Sequence, residues 1–231
     1  MWKFLKFSKV FICFSIIPII KADSIIELQI KINVKYETPK IIEVLSGDGT
    51  KTGDEIRIGK EHFYVISNDG TNATLLAKYN LEVGHDCIYN SQYVCTPIEN
   101  ASGIQSSKAR GLVPSEDFTE VISNYGSVTF NNGKIYVDNY KTYIEKLGIV
   151  INSARLIEYE ELVALGCSAS NRTCTTSDHE WLYTTTYWTS SILGGGYIYI
   201  VTCNGGIDSN SESNDVVAGV RPVIVIPSSS I

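Results

Sequence analysis

The sequence predicts an α+β protein with antiparallel sheets, two to three short helices and a long loop-rich region. Strand-like runs lie toward both ends of the chain, and the helical patterns lie between them. The second half is rich in Ser, Thr, Asn and Gly, which favours turns and short strands over long helices. The sequence has no repeat of solenoid length, so a single packed domain is expected after the N-terminal region.

The N-terminus has the pattern of a secretory leader, in which three lysines precede the apolar run Val10–Ile20. This run is too short to span a bilayer comfortably. Residues 1–22 are therefore predicted to be a signal peptide cleaved after Ala22, with an uncleaved membrane anchor as the alternative. In either case the rest of the chain is expected to be secreted or held at the cell surface.

Removing residues 1–22 leaves 15 basic and 25 acidic residues, so the remainder has a net charge of −10. A surface of this charge repels phosphate backbones, which argues against nucleic acid as a partner. A membrane contact is expected only through the N-terminal segment, if that segment stays uncleaved.

Five cysteines follow the leader. In an exported protein, short spacings between cysteines indicate local disulfides, so we expect Cys87 to pair with Cys95 and Cys167 with Cys174. Cys203 is then left free, although the sequence alone does not decide the pairing. A zinc site would need closely spaced cysteines near histidines, and the three histidines show no such pattern.

Residues 23–53 are predicted to be an N-terminal strand and a linker. Residues 25–37 alternate apolar and polar side chains, as a half-buried strand does. The main domain is assigned to residues 54–231. It should begin with a meander whose strands lie at Glu55–Ile58, His62–Ser67 and Ala73–Tyr79.

Helical patterns follow the meander, with capping residues at their starts or glycines at their ends. They run from Pro114-Ser115 to the residue before Gly126, over Asn139–Leu147 after an N-cap at Asp138, and over Glu158–Leu165. Between the first two, Asn132-Gly133 has the composition of a tight turn, so residues 126–138 are predicted to form a small hairpin. Loops, aromatic strands and a closing strand come last.

Three stretches of the second half carry recognisable motifs, in this order along the chain: ARLIEYEELVALG (154–166), YWTSS (187–191) and GVRPVIVI (219–226). Together they resemble the C-type-lectin-like fold in its formylglycine-generating-enzyme, or sulfatase-modifying-factor, branch. That branch has an Arg-Leu-Pro-Thr…Glu-Trp helix, a Trp-Ser-Ser-type strand and a Gly-Phe-Arg strand near the C-terminus. The chain is most similar to exported bacterial proteins that end in GVRPV.

The resemblance departs from the family pattern at the helix, where Ile157 and Glu158 replace the Pro-Thr pair and Leu162 stands in place of the Trp. The usual N-cap of the helix is therefore expected to be lost.

The matching positions imply structural roles, which we assign to Arg155, Glu161, Trp188, Gly219 and Arg221. In the resembling fold the terminal strand pairs with strands near the beginning of the domain. Arg221 would then bridge to backbone or to a helix acid such as Glu161.

The same branch supplies an oxidoreductase alternative, because its sulfatase-modifying members use a reactive cysteine pair and copper near the C-terminal strand. Cys203 has no cysteine near it in sequence, and no histidine cluster of metal-ligand type accompanies it. His179 follows Asp178, but adjacency in sequence does not make a catalytic relay, and the chain has no GxSxG elbow. We therefore expect no catalytic residues and no bound metal.

A ligand-binding or adhesion-type domain is favoured by residues 181–217, where aromatic side chains stand among Thr, Ser, Asn and Gly. The candidate contacts to a surface protein or a glycan are Trp181, Tyr183, Tyr197, Tyr199, Asn204 and Asn210. Tyr183 is the expected anchor. Trp188 is expected in the core, and Tyr197 and Tyr199 should share one face of a strand.

The acidic stretch IDSNSESND, residues 207–215, has Asp208, Glu212 and Asp215 near Asn210 and Asn214. Calcium needs several hard oxygen ligands, but the Glu-Pro-Asn type of lectin signature is absent. A solvated loop is therefore favoured, no cofactor is expected, and calcium is the one alternative. A further hypothesis is a structural component of a surface assembly, in which the strand at 25–37 pairs with a partner.

Overall fold

The computed structural model describes residues 41–89, 93–110, 126–213 and 218–231, and the backbone of three two-residue strands near the N-terminus and before residue 126. Of residues 86–89 and 93–97 only the backbone is described. The chain divides into two compact units, residues 1–40 and 41–231.

The described part of the first unit is one antiparallel strand pair, β1 (Ile12–Cys13) with β2 (Asn33–Val34). The predicted strand at 25–37 otherwise lies outside the described residues, as does the predicted leader apart from β1.

Across its described residues, the second unit contains short strands, two α-helices and two 3₁₀ turns. Its strands are β3 (Ile42–Val44), β4 (Glu55–Ile58), β5 (Glu61–Asn68), β6 (Asn72–Ala77), β7 (His85–Tyr89), β8 (Tyr93–Pro97), β9 (Val121–Ile122), β10 (Ser127–Val128), β11 (Ser153–Arg155), β12 (Tyr187–Gly194), β13 (Tyr197–Val201), β14 (Ile207–Ser211), β15 (Ala218–Gly219) and β16 (Val223–Pro227). The helices are α1 (Phe130–Lys146) and α2 (Tyr159–Ala164), and the 3₁₀ turns are Glu180–Tyr183 and Ser228–Ser230.

The largest sheet has six antiparallel strands in the order β11-β16-β6-β5-β4-β3. Strands β4, β5 and β6 form the predicted meander, within two residues at each end. The closing strand β16 lies between β6 and β11, with Ile224 opposite Leu75. The last strand of the chain is therefore hydrogen-bonded to one of the first strands of the unit.

The second sheet has the order β10-β15-β12-β13-β14, and its β12–β15 contact is parallel. A third, three-stranded sheet has the order β8-β7-β9. Two α-helices and mostly antiparallel sheets confirm the predicted α+β class.

The hairpin predicted at residues 126–138 is wrong, because α1 begins at Phe130 and runs through it. Thr129 is the N-cap, and its hydroxyl accepts a hydrogen bond from the N–H of Asn132 at 3.4 Å. A β-carbon on Gly133 would lie 3.2 Å from Val220 Cγ2, so the glycine allows α1 to pack closely on the chain that leads into β16. Asn132-Gly133 thus marks close helix packing and not a turn.

The other helix predictions have mixed outcomes. The predicted second helix begins nine residues too late, and Asp138 lies inside α1 instead of capping it. The third is confirmed as α2, one residue shorter at each end. Most of the first lies outside the described residues, and Val121–Ile122 at its end is the strand β9 and not a helix.

Buried side chains form two hydrophobic clusters. The first lies between α1 and one face of the six-stranded sheet, and includes Phe63, Val65, Leu75, Val137, Tyr140, Ile144 and Trp188. The second lies on the other face of that sheet and includes Ile66, Leu76, Leu162, Leu182, Tyr187 and Val223. No helix in the described part of the chain combines the length and the hydropathy of a membrane span.

Candidate ligand-binding groove

A disulfide closes the loop that follows α2. Cys167 and Cys174 are bonded, as predicted, and both are buried in the second hydrophobic cluster. The backbone register places Cys87 directly opposite Cys95 in the β7–β8 ladder, although their side chains lie outside the described residues. Cys203 is a free, half-buried thiol.

The start of α2 is held by an arginine–glutamate pair. The guanidinium of Arg155 donates to the two carboxylate oxygens of Glu161 at 2.7 and 2.6 Å. This hydrogen bonding raises the pKa of Arg155. Glu161 Oε2 also accepts from the N–H of Glu158 at 2.9 Å, so the first turn of α2 is satisfied with Glu158 as the N-cap residue.

Beside α2 lies a cavity of about 400 Å³, which we call the groove. Its walls are the end of β5 at Ile66 and Ser67, the C-terminal end of α2 at residues 164–166, and the segment 176–179. Thr52 and Glu161 complete the lining. The groove therefore lies between the end of β5, the end of α2 and the segment that follows the disulfide loop.

The hydroxyl groups of the groove are mostly committed to the protein. Thr52 Oγ1 donates to the carbonyl of Ile66 at 3.3 Å, and Thr176 Oγ1 donates to the carbonyl of Gly166 at 2.9 Å. Ser177 Oγ donates to the carbonyl of Leu165 at 2.5 Å. These oxygens can offer only lone pairs to a bound molecule.

Three rings pack together beside the groove, and we call them the aromatic shelf: Tyr64, His179 and Trp181. Trp181 stacks on Tyr64 with ring centroids 4.6 Å apart and 18° between the planes. The ring of His179, which also lines the groove, lies 5.1 Å from that of Trp181. Sequence analysis missed Tyr64, although its place between the inward-facing Phe63 and Val65 marks it as a residue of the other face.

Behind the shelf lies a small charged cluster. The carboxylate of Glu55 accepts from Lys78 Nζ at 2.9 Å and contacts His62 Nδ1 at 2.9 Å. Burial raises the pKa of Glu55, but these hydrogen bonds from Lys78 and His62 outweigh it and hold the pKa below its ordinary value. Lys78 Nζ also lies 5.5 Å from the centroid of Tyr64, within reach of a cation–π contact with this ring of the shelf.

Of the six predicted ligand contacts, Trp181 lies beside the groove. Tyr183, the predicted anchor, is half-buried against the second hydrophobic cluster and next to Gly205. Asn204 is exposed, and its side-chain oxygen accepts from the N–H of Gly206 at 3.2 Å within a turn.

The other three predicted contacts lie on the β13–β14 hairpin. Tyr197 is 48% exposed, and Tyr199 stacks on Tyr159 with centroids 4.6 Å apart. Both tyrosines occupy the same face of β13, two residues apart. Asn210 pairs with Ile198 and so belongs to the opposite face. The structure therefore does not gather the six predicted residues into one surface.

The acidic stretch at 207–215 is described only in part. Asp208 Oδ1 accepts from the N–H of Ser209 at 2.8 Å, and Asp208 and Asn210 lie on one face of β14. Asn214 and Asp215 lie outside the described residues. Within the described ranges, no group of three or more His, Cys, Asp or Glu side chains could hold a metal ion.

Arg221 is fully buried between β6 and the 3₁₀ turn that carries Trp181. Its Nε donates to the carbonyl of Ala77 at 2.6 Å, and its Nη1 donates to the carbonyl of Leu182 at 3.0 Å. Of the two partners that sequence analysis considered, backbone is therefore the observed one, while Glu161 pairs with Arg155. Burial lowers the pKa of Arg221 and raises that of the adjacent Tyr187 to about 12.

Gly219 precedes this arginine because no side chain fits there. A β-carbon on Gly219 would lie 2.1 Å from Asn80 Nδ2 and 3.0 Å from the carbonyl of Gly126. Asn80 is itself buried, and it donates to the carbonyl of Thr186 at 3.0 Å. The glycine thus lets the chain into β16 pass close to a buried amide.

The groove does not contain an activated nucleophile. Ser177 Oγ is engaged by the carbonyl of Leu165 and accepts from the N–H of His179 at 3.1 Å, so it has no imidazole base. Comparison of the chain with protein-family models, with curated proteins and with solved structures found no match.

Proposed function

We propose that the chain is an exported, non-enzymatic ligand-binding domain with a C-type-lectin-like fold, and that its ligand occupies the groove beside the aromatic shelf. The observation that carries this proposal is the groove itself. It is a preformed cavity of about 400 Å³ flanked by stacked aromatic rings, on the side of the molecule that the loop-rich segment covers.

Three features support the C-type-lectin-like part of the proposal. The terminal strand β16 pairs with the early strand β6. Trp188, at the position of the family's Trp-Ser-Ser strand, is fully buried. Arg155 and Arg221 each hold two parts of the chain together through charge-assisted hydrogen bonds.

The export part of the proposal depends on the N-terminal pattern. The intact mass of the protein recovered from the medium should show loss of the first 22 residues. A full-length chain in the membrane fraction would support the anchor alternative, and a chain that stays in the cytosol would contradict both.

The binding part is tested on an array that carries glycans and peptides of surface proteins, probed with the labelled full chain. Trp181→Ala should weaken binding of any captured probe by about tenfold or more, because a buried aromatic contact is typically worth about 1–3 kcal/mol. Tyr197→Ala is the matched control, since it removes an exposed aromatic ring away from the groove. If only Tyr197→Ala weakens binding, the site lies on the hairpin and not in the groove.

A further inference from the structure

We infer that the groove binds a cationic side chain, the ammonium or guanidinium group of a lysine- or arginine-containing protein segment. The inference rests on the proposed function, because it names the ligand class of the same groove. It selects a protein partner over a glycan or an anion.

The polar groups that line the groove are mostly hydrogen-bond acceptors. The hydroxyls of Thr52, Thr176 and Ser177 each donate to a backbone carbonyl of the wall. They therefore present lone pairs inward, and the carboxylates of Glu161 and Asp178 add further acceptors. The lining also has a hydroxyl at Ser67 and a ring nitrogen at His179 that can donate, but acceptors outnumber them. Such a lining favours a ligand rich in hydrogen-bond donors, and ammonium and guanidinium groups consist only of donors.

The charges around the groove also favour a cationic ligand. Glu161 is neutralised by Arg155, but Asp178 has neither an ion pair nor a hydrogen bond through its side chain in the described structure. Residues 155–221 contain eight acidic side chains and three basic ones, Arg155, Arg172 and Arg221. Arg155 is paired with Glu161, Arg221 is fully buried, and the guanidinium of Arg172 lies 5.7 Å over the ring of Tyr199, which does not line the groove. The carboxylate of Asp178 is therefore left to attract a cation.

The size of the groove suits a single long side chain. A volume of about 400 Å³ lies at the lower end of the roughly 300–1,000 Å³ usual for ligand pockets. It accommodates a long side chain with its backbone but not a folded domain. The ring of His179 lines the groove, and the ring of Trp181 packs beside it with centroids 5.1 Å apart.

The test uses the full chain and isothermal titration calorimetry, whose signal does not depend on Trp181 and so remains available in Trp181→Ala. The probes are a Gly-Lys-Gly-Lys-Gly peptide, the same peptide with both lysines acetylated, and the neutral oligosaccharide chitotriose. The lysine peptide should give a binding isotherm, and acetylation should weaken its binding about tenfold. Higher salt should weaken it further, because screening reduces the attraction.

A charge-matched pair of variants locates the effect. Asp178→Asn should weaken the lysine peptide about tenfold, whereas Glu212→Gln removes an exposed carboxylate of the hairpin end and should leave binding unchanged. The acetylated peptide removes the same interaction from the ligand side, so the result does not depend on the folding of one variant.

The outcomes separate the inference from the proposed function. If the acetylated peptide or chitotriose binds as well as the lysine peptide, and Trp181→Ala abolishes that binding, the groove is a binding site but its ligand is not cationic. If Asp178→Asn and Glu212→Gln weaken the lysine peptide equally, the attraction is a general surface effect and the inference is overturned. If no probe here and none on the array binds, both proposals fail.

Discussion

The two faces of the six-stranded sheet are stabilised by different means. One face packs Phe63 and Leu75 against Tyr140 and Ile144 of α1, in a continuous apolar layer. The other face is covered by irregular chain that includes a disulfide and the fully buried Arg221. Apolar area thus holds α1 in place, whereas the loop-rich side, where the groove lies, adds specific polar and covalent links to its own apolar cluster.

The strand β16 is buried on both of its faces. Val223 belongs to the second hydrophobic cluster and Ile224 to the first, and both are fully buried. A strand covered on two faces needs a continuous apolar run. Arg221 lies just before this run, and its guanidinium donates hydrogen bonds to two backbone carbonyls. Changes to the polar links should therefore affect the second face most strongly.

The largest effect is expected from Arg221→Ala. It leaves the carbonyls of Ala77 and Leu182 without this donor and opens a cavity, so the free energy of unfolding should fall by about 3 kcal/mol. Urea unfolding measures it. Arg172→Ala, at an exposed arginine, is the control and should change stability by less than about 0.5 kcal/mol. Equal stability of the two variants would mean that the buried guanidinium does not hold the second face.

The disulfide should come next. Replacing Cys167 and Cys174 together by serine removes a link across a short loop, and should lower stability by about 2 kcal/mol. The midpoint of thermal unfolding of the double variant is compared with that of Cys203→Ser, the control that removes only a free thiol. A double variant as stable as the wild type would show that packing alone holds the loop against α2.

A smaller effect is expected on the first face from Tyr140→Phe. The hydroxyl of Tyr140 donates to the buried carboxylate of Glu61 at 2.8 Å and accepts from Gln105 Nε2 at 2.8 Å. Its loss should cost about 1.5 kcal/mol. Tyr143→Phe removes a half-buried hydroxyl that makes no such bond in the described structure, and should be nearly neutral. Similar losses in both variants would contradict a specific role for the Tyr140–Glu61 bond.

The smallest effect is a pH dependence that distinguishes two glutamates of neighbouring strands. Burial raises the pKa of Glu61 above 4.5, so its contribution to stability is complete below the unfolded value and is lost as the pH rises through the raised pKa. Glu55 has the opposite shift, so its contribution is complete above the unfolded value and is lost as the pH falls through the lowered pKa.

Unfolding free energies measured against pH for Glu61→Gln, Glu55→Gln and the wild type test this pair. The wild type should lose stability relative to Glu61→Gln as the pH rises from about 4.5, and relative to Glu55→Gln as the pH falls below it. Parallel curves for all three proteins would show that neither carboxylate is coupled to folding.

Elements that depend on contacts between neighbouring residues were predicted correctly, whereas features that depend on contacts between distant residues were not. The meander and α2 were predicted within two residues, because alternation and capping are local. The hairpin prediction at Asn132-Gly133 failed, because the deciding contact is made by Val220, far along the chain. Tyr64 and Trp181 were likewise not recognised as a pair, since they come from different elements.

The sequence by itself determined the α+β class and the meander strands from local patterns, and it indicated the pairing of Cys167 with Cys174, which the structure confirms. The tertiary structure decided which partner Arg221 takes and where a cavity forms. The Arg221–Ala77 bond joins positions 144 residues apart, and the groove combines the end of β5 with α2 and the segment 176–179. Such contacts leave no local pattern, since their partners are chosen by how the two sheets and the disulfide loop pack.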